Sequence, residues 1–284
     1  MMGSLKYYSV EFFPPKTDRG RSKLEQVISA LSAYQPSYFS VTYGAGGSTQ
    51  AFTLDTLRQI QRLSSIEAAP HLSCIGSSQT ALHDILQEYK TLGIKRIIAL
   101  RGDLPSGNGD LGDFRYANEL VQFIREETGE YFTLEVAAYP EVHPQALNWA
   151  QDLEHFKRKV DAGANSAITQ YFYNPECFFR FINDCQQAGI NIPIIPGIMP
   201  ITNARQLLRF SDACGTEIPR WIRKRLEYYA EDLPSIRAFG EEVVTSLCEK
   251  LIDQGVDNLH FYAMNQSEII LKLWQNLGLS PQTP

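Results

Sequence analysis

A carboxylate stands inside an otherwise apolar run near the start of the chain. Glu11 interrupts the run Tyr-Ser-Val-Glu-Phe-Phe, which otherwise has the composition of a buried strand. Burial raises the pKa of a carboxylic acid, and a raised pKa suits a general acid that works near neutral pH. The alternative is structural, because a glutamate can also pair with an internal arginine or lysine and stabilise the floor of the fold. The pattern leaves both interpretations open.

A second group of polar residues follows the apolar run at residues 97–100. Asp103 can accept hydrogen bonds from a bound heterocycle, and Gly102 allows a ligand to approach the backbone closely. Arg101 and Asp103 can equally form a local pair in an ordinary loop. The glycine-rich segment at 44–49 matches neither a P-loop nor G-x-G-x-x-G, so we interpret it as a turn.

Histidines and a run of cations are further candidates for binding. Two prolines stiffen the segment 139–144, which presents Tyr139 and His143. His71 and His143 lack a close partner at metal-ligand spacing, so we expect hydrogen-bonded histidines and no metal. The cationic run at 157–159 is either a solvated helix face or a contact for a phosphate.

Short apolar runs recur along the chain, and each is followed by an amphipathic stretch. Runs rich in β-branched and aromatic residues predict strands at residues 7–13, 38–43, 70–75, 96–100, 133–138, 167–172, 192–198 and 258–262. Apolar residues at helical spacing predict helices at residues 21–34, 51–63, 79–92, 114–127, 146–162, 176–188, 204–213, 220–229, 235–254 and 267–277.

Strands that alternate with helices predict a parallel sheet with right-handed crossovers. Eight such units in about 250 residues fit a single (β/α)8 TIM barrel of the α/β class. We therefore predict one catalytic barrel domain over residues 1–284, with extra helices before the last strand. A doubly wound open sheet is the alternative. In a barrel the functional side chains lie at the carboxyl ends of the strands, which is where Glu11, Thr42, His71 and Asp103 stand.

Composition narrows the class of protein. Hydrophobic residues make up 44% and charged residues 20% of the chain, as in a globular protein, and the net charge is −6. That charge gives no basic surface for nucleic acid or for an anionic membrane. Five cysteines without a C-x-x-C motif argue against a disulfide framework. We predict a cytoplasmic protein that binds neither nucleic acid nor membrane.

Nine segments, in order along the chain, match those of a known enzyme family. They are VEFFPP at 10–15, SVTYGAGG at 40–47, PHLSCI at 70–75, ALRGDLP at 99–105, AAYPEVHP at 137–144, KRKVDAGAN at 157–165, ITQYFY at 168–173, IIPGIMP at 194–200 and HFYAMN at 260–265. With these segments the chain resembles the methylenetetrahydrofolate reductases of the bacterial type, which consist of the catalytic domain alone. We therefore expect no C-terminal regulatory domain.

The resemblance implies an FAD-containing barrel with a ping-pong mechanism. NADH or NADPH would reduce the flavin, which would then pass a hydride to 5,10-methylenetetrahydrofolate. The product, 5-methyltetrahydrofolate, supplies methyl groups for methionine synthesis. The expected partners are these small molecules, and we expect a homo-oligomer.

The resemblance also assigns roles by position. It implies that Glu11 is the general acid, that Asp103 acts near the flavin and the pterin, and that Gln170 contacts the pterin. The implied FAD-binding residues are Thr42, His71, Arg101, Gly102, Asp103, Tyr116, Ala117, Tyr139, His143, Ala146, Asp152, His155, Arg158 and Lys159. The implied substrate-binding residues are Asp103, Gln170, Gln206, Phe210, Tyr262 and Gln266.

Two positions depart from the family pattern, and two other functions remain open. Gln266 stands where some relatives have an arginine, so a charged contact to the acidic tail of folate is lost. His155 stands where some relatives have an asparagine. A flavin-free lyase or aldolase using Glu11 as acid–base would be colourless, and a non-enzymatic folate- or flavin-binding barrel would bind without turnover.

Overall fold

The computed structural model describes residues 5–43, 47–103 and 111–282, with the side chains of 47–49 left aside. Its strands are β1 (Tyr7–Phe12), β2 (Tyr38–Val41), β3 (Glu67–Ser73), β4 (Arg96–Leu100), β5 (Thr133–Ala138), β6 (Ser166–Thr169), β7 (Ile194–Ile195), β8 (Gly197–Ile198) and β9 (Asn258–Tyr262). Its helices are α1 (Asp18–Ser32), α2 (Gly47–Leu63), α3 (Gln79–Thr91), α4 (Ala117–Thr128), α5 (Trp149–Asp161), α6 (Pro175–Gln187), α7 (Ala204–Cys214), α8 (Arg220–Tyr229), α9 (Leu233–Asp253) and α10 (Ser267–Asn276).

The strands form one parallel sheet that curves into a nearly closed barrel. Its order is β7-β6-β5-β4-β3-β2-β1-β9-β8, and every described pairing is parallel. Because β7 and β8 are consecutive pieces of one chain segment, they bring the two edges of the sheet together. The predicted TIM barrel is thereby confirmed, and the open sheet is excluded.

The seventh strand differs from its prediction. A single strand was expected at 192–198, but the structure has two short ones that flank Pro196. Proline lacks the N–H that a ladder requires, so the pairing changes neighbours at this point. Ile194 pairs with β6, whereas Gly197 pairs with His260 of β9. The Pro196 carbonyl accepts a hydrogen bond of 2.9 Å from the His260 N–H.

Other boundaries shift by a few residues. Strand β2 ends at Val41 and β6 at Thr169, although the apolar pattern predicted strands to residues 43 and 172. Aromatic residues continue beyond both strands, and Phe172 is buried in a loop rather than in the sheet. Helix α2 begins at Gly47, four residues before its predicted start at residue 51.

Apolar side chains pack in two places. The large core lies between the strands and the helices. A small cluster lies inside the barrel, and its members are Tyr38, Ala69, Ile98, Ile168 and Ile195. Side chains alternate between the two faces of a strand, so the barrel interior also receives buried polar groups from the same strands. These are Ser9, Ser40, His71, Glu135 and His260.

The extra helices expected before the last strand are present. Helices α7, α8 and α9 occupy the chain between β8 and β9. Within the described residues, no helix combines the length and the apolar character that crossing a membrane would require.

Candidate active site

Glu11 lies at the carboxyl end of β1, on the strand face that lines the barrel. Its register partners are Ser40 on β2 and Tyr262 on β9. Ser9, two residues earlier, points to the same face because side chains alternate along a strand. The Glu11 side chain is 20% exposed, so the carboxyl group is largely withdrawn from water but still open toward the mouth side of the barrel.

Two imidazoles flank the Glu11 carboxyl group, and both face the same oxygen. The distance from His71 Nε2 to Glu11 Oε2 is 3.3 Å, and from His260 Nε2 it is 3.8 Å. Burial lowers the pKa of His71, although the Glu11 carboxylate opposes that shift. His71 is therefore neutral at physiological pH, so it places no fixed positive charge beside Glu11.

An ion pair with an internal arginine, the structural alternative considered for Glu11, is formed by another glutamate. Glu135 on β5 is 1% exposed, and its Oε1 lies 2.5 Å from Nη1 of Arg96 on β4. Its Oε2 accepts a hydrogen bond of 2.7 Å from the Tyr38 hydroxyl. Arg96 also approaches Glu67 at 3.4 Å. This buried pair stabilises the barrel interior, and within the described residues Glu11 has no lysine or arginine at ion-pair distance.

The segment that follows β4 provides a tight backbone turn. Gly102 has φ +87°, and a Cβ atom there would lie 1.8 Å from Ser73 Oγ. The Ser73 hydroxyl donates a hydrogen bond of 2.8 Å to the Arg101 carbonyl, which anchors the turn to β3. Arg101 Nε donates to the Gly102 carbonyl at 3.2 Å, and the next residue, Asp103, is exposed. Only glycine fits this position without strain.

The loop after β5 carries two packed rings and is linked to an acidic residue of α5. The rings of Tyr139 and His143 meet edge to face at 4.5 Å. The backbone N–H of His143 donates to Asp152 Oδ2 at 2.8 Å, and this hydrogen bond links the loop to α5. Burial raises the pKa of Tyr139 to about 12, and Asp152 and Asp103 add to the shift while Arg101 opposes it. The turns after β4 and β5 lie side by side at the mouth, because the two strands are neighbours in the sheet.

The cationic run at 157–159 does not act as one patch. Lys157 pairs with Asp161, and Arg158 pairs with Glu154, both along the exposed side of α5. Lys159 points inward instead and donates a hydrogen bond to the Ala137 carbonyl. Burial lowers the pKa of Lys159 to about 8. A single buried ammonium thus stands under the loop after β5, ready to meet an anionic group.

Three other expected site residues stand at the ends of strands. Tyr262 is half-buried and donates a hydrogen bond of 2.7 Å to the Thr169 carbonyl. Gln170 follows β6 and accepts from the Tyr171 N–H at 3.0 Å. Thr42 follows β2, and its N–H donates to the Phe12 carbonyl at 2.9 Å. These residues stand at the carboxyl ends of their strands, as the barrel prediction requires.

The remaining expected residues stand on helix ends and loops. Gln206 and Phe210 lie on α7, one turn apart, and both are half-buried. Gln266 precedes α10, and Tyr116 and Ala117 begin α4. His155 and Arg158 are exposed on α5, and the Ala146 N–H donates to the His143 carbonyl at 2.9 Å. Several of these side chains make no described hydrogen bond or ion pair with Glu11 and its two histidines, or with Tyr139, His143 and Asp152. They are those of Gln206, Phe210, Gln266, Tyr116 and Arg158.

Sequence reasoning assigned no role to His260, Ser9 or Cys214. Period-two alternation along β1 and β9 could have found the first two, because it places Ser9 beside Glu11 and His260 beside Tyr262 on the interior face. Cys214 ends α7, and burial raises its pKa, an effect to which Asp103 adds. No local signal in the sequence reveals this influence, because the two residues are far apart in the chain.

The arrangement combines a proton donor with a polar mouth. Glu11 can hold and deliver a proton, since its neighbours are imidazoles rather than fixed cations. Arg101, Lys159 and the backbone at Gly102 can receive an anionic, planar ligand. The part of the chain that the structure describes contains no group of His, Cys, Asp and Glu suited to a metal ion.

Comparisons with known proteins identify the family of the chain. A family model for methylenetetrahydrofolate reductase matches residues 3–278. A 5,10-methylenetetrahydrofolate reductase of Escherichia coli is 40% identical over 273 residues, which cover 96% of this chain and 91% of the relative. A probable methylenetetrahydrofolate reductase (NADH) of Oryza sativa is 39% identical over 285 residues, covering 96% of this chain and 48% of the relative. The chain thus spans about half the length of the plant relatives that it matches.

A solved structure supports the fold. An uncharacterized protein from Clostridium thermocellum that binds two copies of 5-methyl-5,6,7,8-tetrahydrofolic acid superposes with a TM-score of 0.68 at 15% identity, covering 97% of this chain and 95% of that one. Similarity at this level of identity concerns the fold alone. The family model and the bacterial relative carry the assignment further: the chain belongs to the methylenetetrahydrofolate reductase family.

Proposed function

We propose that this protein reduces 5,10-methylenetetrahydrofolate to 5-methyltetrahydrofolate, with bound FAD and with NADH or NADPH as the reductant. The observation that carries the proposal is Glu11, a carboxyl group inside the barrel mouth that has imidazoles rather than a lysine or arginine at its side. A group that must give up a proton in each cycle cannot be locked in an ion pair. The family membership supplies the substrate class.

The residues at the mouth fit a flavin dinucleotide. The space that a Cβ atom would need at Gly102 is filled by Ser73, so this glycine shapes the turn after β4 that would border a flat ring system. The Lys159 ammonium is buried without a carboxylate at ion-pair distance among the described residues, and Arg101 stands on the neighbouring turn after β4. An anionic diphosphate would satisfy such cations. Tyr139 and His143 would hold the ring system from the loop after β5.

When bound, FAD would accept a hydride from the nicotinamide and pass it to the one-carbon unit of the folate. The chain's own contribution is to manage the proton. The five-membered ring of the substrate opens only when its nitrogen leaves as an amine, and Glu11 would provide the proton for that step. Reduction of FAD by NAD(P)H needs no such proton, so Glu11 would serve one half-reaction only. This division fits a ping-pong order in which the two substrates use the same face in turn.

The substrate side of the mouth would be formed by residues beyond the flavin contacts. Tyr262 stands beside Glu11 at the end of β9, and its hydroxyl donates to the carbonyl of Thr169, the residue before Gln170. The Gln170 amide and the Tyr262 ring edge would orient the pterin. Gln206 and Phe210 on α7 would line the entrance shared by folate and nicotinamide. Asp103 would act near both rings. A carboxylate beside the flavin would lower its reduction potential by repelling the negative charge of the reduced form.

The wider expectations belong to the same proposal. Residues 1–284 would act as a single catalytic domain in the cytoplasm, as a homo-oligomer that binds small molecules and neither nucleic acid nor membrane. A flavin-free lyase using Glu11 is the second candidate, and a binding protein without turnover is the third.

The visible spectrum and anaerobic half-reactions test the proposal. The purified protein should be yellow and release FAD on denaturation. NADH or NADPH should bleach its absorbance, and methylenetetrahydrofolate should restore it with formation of 5-methyltetrahydrofolate. A colourless protein that takes up no added FAD would support the lyase. A protein that binds FAD and the folate, but is neither bleached by NAD(P)H nor active with the folate, would support the binding role. A yellow protein that is bleached but never reoxidised by the folate would refute the proposed substrate.

A further inference from the structure

One tyrosine joins the loop after β6, which carries Gln170, to helix α7, which carries Phe210. We propose that Tyr171 is a positioning residue that fixes Gln170 and Phe210 relative to each other, through hydrogen bonds of its N–H, its carbonyl and its hydroxyl group. The proposal rests on the proposed function, in which Gln170 contacts the folate and Phe210 lines the entrance shared by folate and nicotinamide. It adds Tyr171, Ser211 and Thr216 to the residues that serve the reaction.

The backbone of Tyr171 orients the side chain of Gln170. Tyr171 directly follows Gln170, and its N–H donates a hydrogen bond of 3.0 Å to Gln170 Oε1. The oxygen of that amide is therefore engaged. Its Nε2 has no hydrogen-bond partner among the described residues and remains as a donor for a ligand. The direction in which Gln170 offers this donor thus depends on where the Tyr171 backbone lies.

The side chain of Tyr171 meets helix α7 one residue after Phe210. Its hydroxyl oxygen lies 3.1 Å from Ser211 Oγ, and both residues are buried. Each hydroxyl group can donate and accept, so the two groups satisfy each other in a place that water does not reach. Because Phe210 and Ser211 are adjacent in the helix, this hydrogen bond fixes α7 at the point where it carries the Phe210 ring.

A second hydrogen bond completes the attachment of α7. Thr216 follows the end of the helix, and its hydroxyl group donates to the Tyr171 carbonyl at 3.1 Å. The Thr216 N–H donates to the Ser211 carbonyl, also at 3.1 Å. Tyr171, Ser211 and Thr216 therefore form a closed ring of hydrogen bonds, which we call the Tyr171 clamp. A closed ring resists rotation and sliding of the helix more strongly than one hydrogen bond does.

Apolar packing gives α7 limited support. Of its 11 residues, Leu207 and Ser211 are the buried ones, and one of these is polar. Helices in proteins owe most of their stability to the packing of an apolar face, so the placement of α7 depends strongly on its polar contacts. The Tyr171 ring is itself well held, because it meets Tyr173 at 5.9 Å and Tyr262 at 6.5 Å, both edge to face. The clamp thus attaches a weakly packed helix to a rigid part of the mouth.

Loss of the clamp should weaken binding of both substrates without slowing the chemical steps. A hydrogen bond between neutral groups commonly contributes a factor of about 2 to 10 in an equilibrium. The concentrations of NADH and of folate that give half of the maximal rate should each rise by about that factor, while the maximal rates change little. A merely structural defect would reduce the amount of folded enzyme, which lowers the maximal rate and leaves the half-saturating concentrations unchanged.

Stopped-flow titration of each half-reaction tests the bond between the two hydroxyl groups. Tyr171→Phe and Ser211→Ala each remove one of them, so both variants should need more NADH for half-maximal bleaching and more methylenetetrahydrofolate for half-maximal reoxidation. The double variant should need no more than the single variants, because all three lose the same hydrogen bond. Wild-type values in the single variants, or shifts that multiply in the double variant, would overturn the proposal.

Thr216 supplies a second arm with a matched pair of variants. Thr216→Val keeps the shape of the side chain without its hydroxyl group and should raise both half-saturating concentrations. Thr216→Ser keeps the hydroxyl group and should stay near wild type. Both changes are conservative, so this arm decides the matter even where a Tyr171 or Ser211 variant fails to fold. Equal half-saturating concentrations in the two Thr216 variants would refute the clamp.

Tyr8→Phe controls for the loss of a buried hydroxyl group elsewhere. The Tyr8 hydroxyl donates to the Tyr34 carbonyl near the start of β1, far along that strand from Glu11. Both half-saturating concentrations should be unchanged in this variant. A wild-type protein that takes up no FAD or does not reduce the folate would refute the proposed function itself, whereas an active wild type with unaltered clamp variants would refute the clamp alone.

Discussion

Two glutamates enter the same barrel interior, and their surroundings differ. Glu135 is 1% exposed and meets an arginine at 2.5 Å and a phenol at 2.7 Å. Glu11 is 20% exposed and meets two imidazole nitrogens at 3.3 and 3.8 Å. A permanent cation fixes the charge of Glu135, whereas Glu11 has imidazoles and no lysine or arginine beside it among the described residues, so it is free to exchange a proton. The partner, rather than depth of burial alone, separates a structural carboxylate from a working one.

The largest effect is expected where the working carboxylate is removed. Glu11→Gln keeps the size and hydrogen bonding of the side chain but supplies no proton, so folate reduction should fall by about 10²–10⁴-fold. Bleaching of the flavin by NADH should stay near normal. Stopped-flow absorbance of the two half-reactions measures the difference.

The control for this change is Glu130→Gln, which alters an exposed glutamate on the surface. Both half-reactions should be unaffected in that variant. If Glu11→Gln slowed both half-reactions equally, Glu11 would be structural like Glu135, and the contrast between the two carboxylates would disappear.

Removing Arg96, the partner of Glu135, should lower the free energy of unfolding rather than slow one half-reaction selectively. Arg96→Met leaves Glu135 buried without its cation, a change that commonly costs about 3–5 kcal/mol. The double variant Arg96→Met with Glu135→Leu should be more stable than the single one, because the fully buried carboxylate is then gone and only the partly exposed Glu67 has lost its partner. Urea unfolding measures both.

A surface pair is the reference for that comparison. Arg62 and Glu25 form an exposed ion pair, so Arg62→Met should change the free energy of unfolding by less than about 1 kcal/mol. An Arg96→Met variant as stable as Arg62→Met would show that the Glu135 pair does not stabilise the barrel.

The smallest effect concerns a buried ammonium group that has no carboxylate at ion-pair distance among the described residues. Burial lowers the pKa of Lys159 from 10.5 to about 8, so between these values the unfolded chain binds a proton that the folded chain does not. The free energy of unfolding therefore rises with pH across that window, and the cost of the buried ammonium applies below pH 8. Relative to Lys159→Met, the gain should be on the order of 1–3 kcal/mol.

Denaturation curves of the FAD-free protein at several pH values measure this gain, and Lys157→Met serves as the exposed control on the same helix. Parallel pH dependence in wild type and Lys159→Met would show that Lys159 is not buried as an isolated charge. Bound FAD should reduce the gain, because an anion beside Lys159 would raise its pKa.

The sequence predicted the barrel well because strand and helix periods are local properties. The strands at Arg96–Leu100, Thr133–Ala138 and Asn258–Tyr262 have the predicted bounds. It failed at residues 192–198, where the apolar pattern continues across Pro196 although the hydrogen-bond ladder does not. Apolar character reports burial, and burial alone does not distinguish strand from loop.

The candidate site was predictable in part. The interruption of an apolar run marked Glu11, and the position of Asp103 after β4 followed from barrel geometry. The partners of these residues were not predictable, since His260 lies 249 positions from Glu11 in the sequence and meets it only when β1 pairs with β9. Nor does a sequence pattern show which of two interior glutamates takes the arginine, because Arg96 pairs across β4 and β5.

The division of one strand at Pro196 gives the barrel a seam. The ring is held there by two residues of β7 on one side and two residues of β8 on the other, whereas β1 and β9 share a ladder of five. Amide hydrogens along so short a ladder exchange with solvent through small local openings rather than through global unfolding. The Tyr262 hydroxyl donates to the Thr169 carbonyl across this seam. Local opening of the short ladders would therefore displace Tyr262, the register partner of Glu11, before other parts of the mouth.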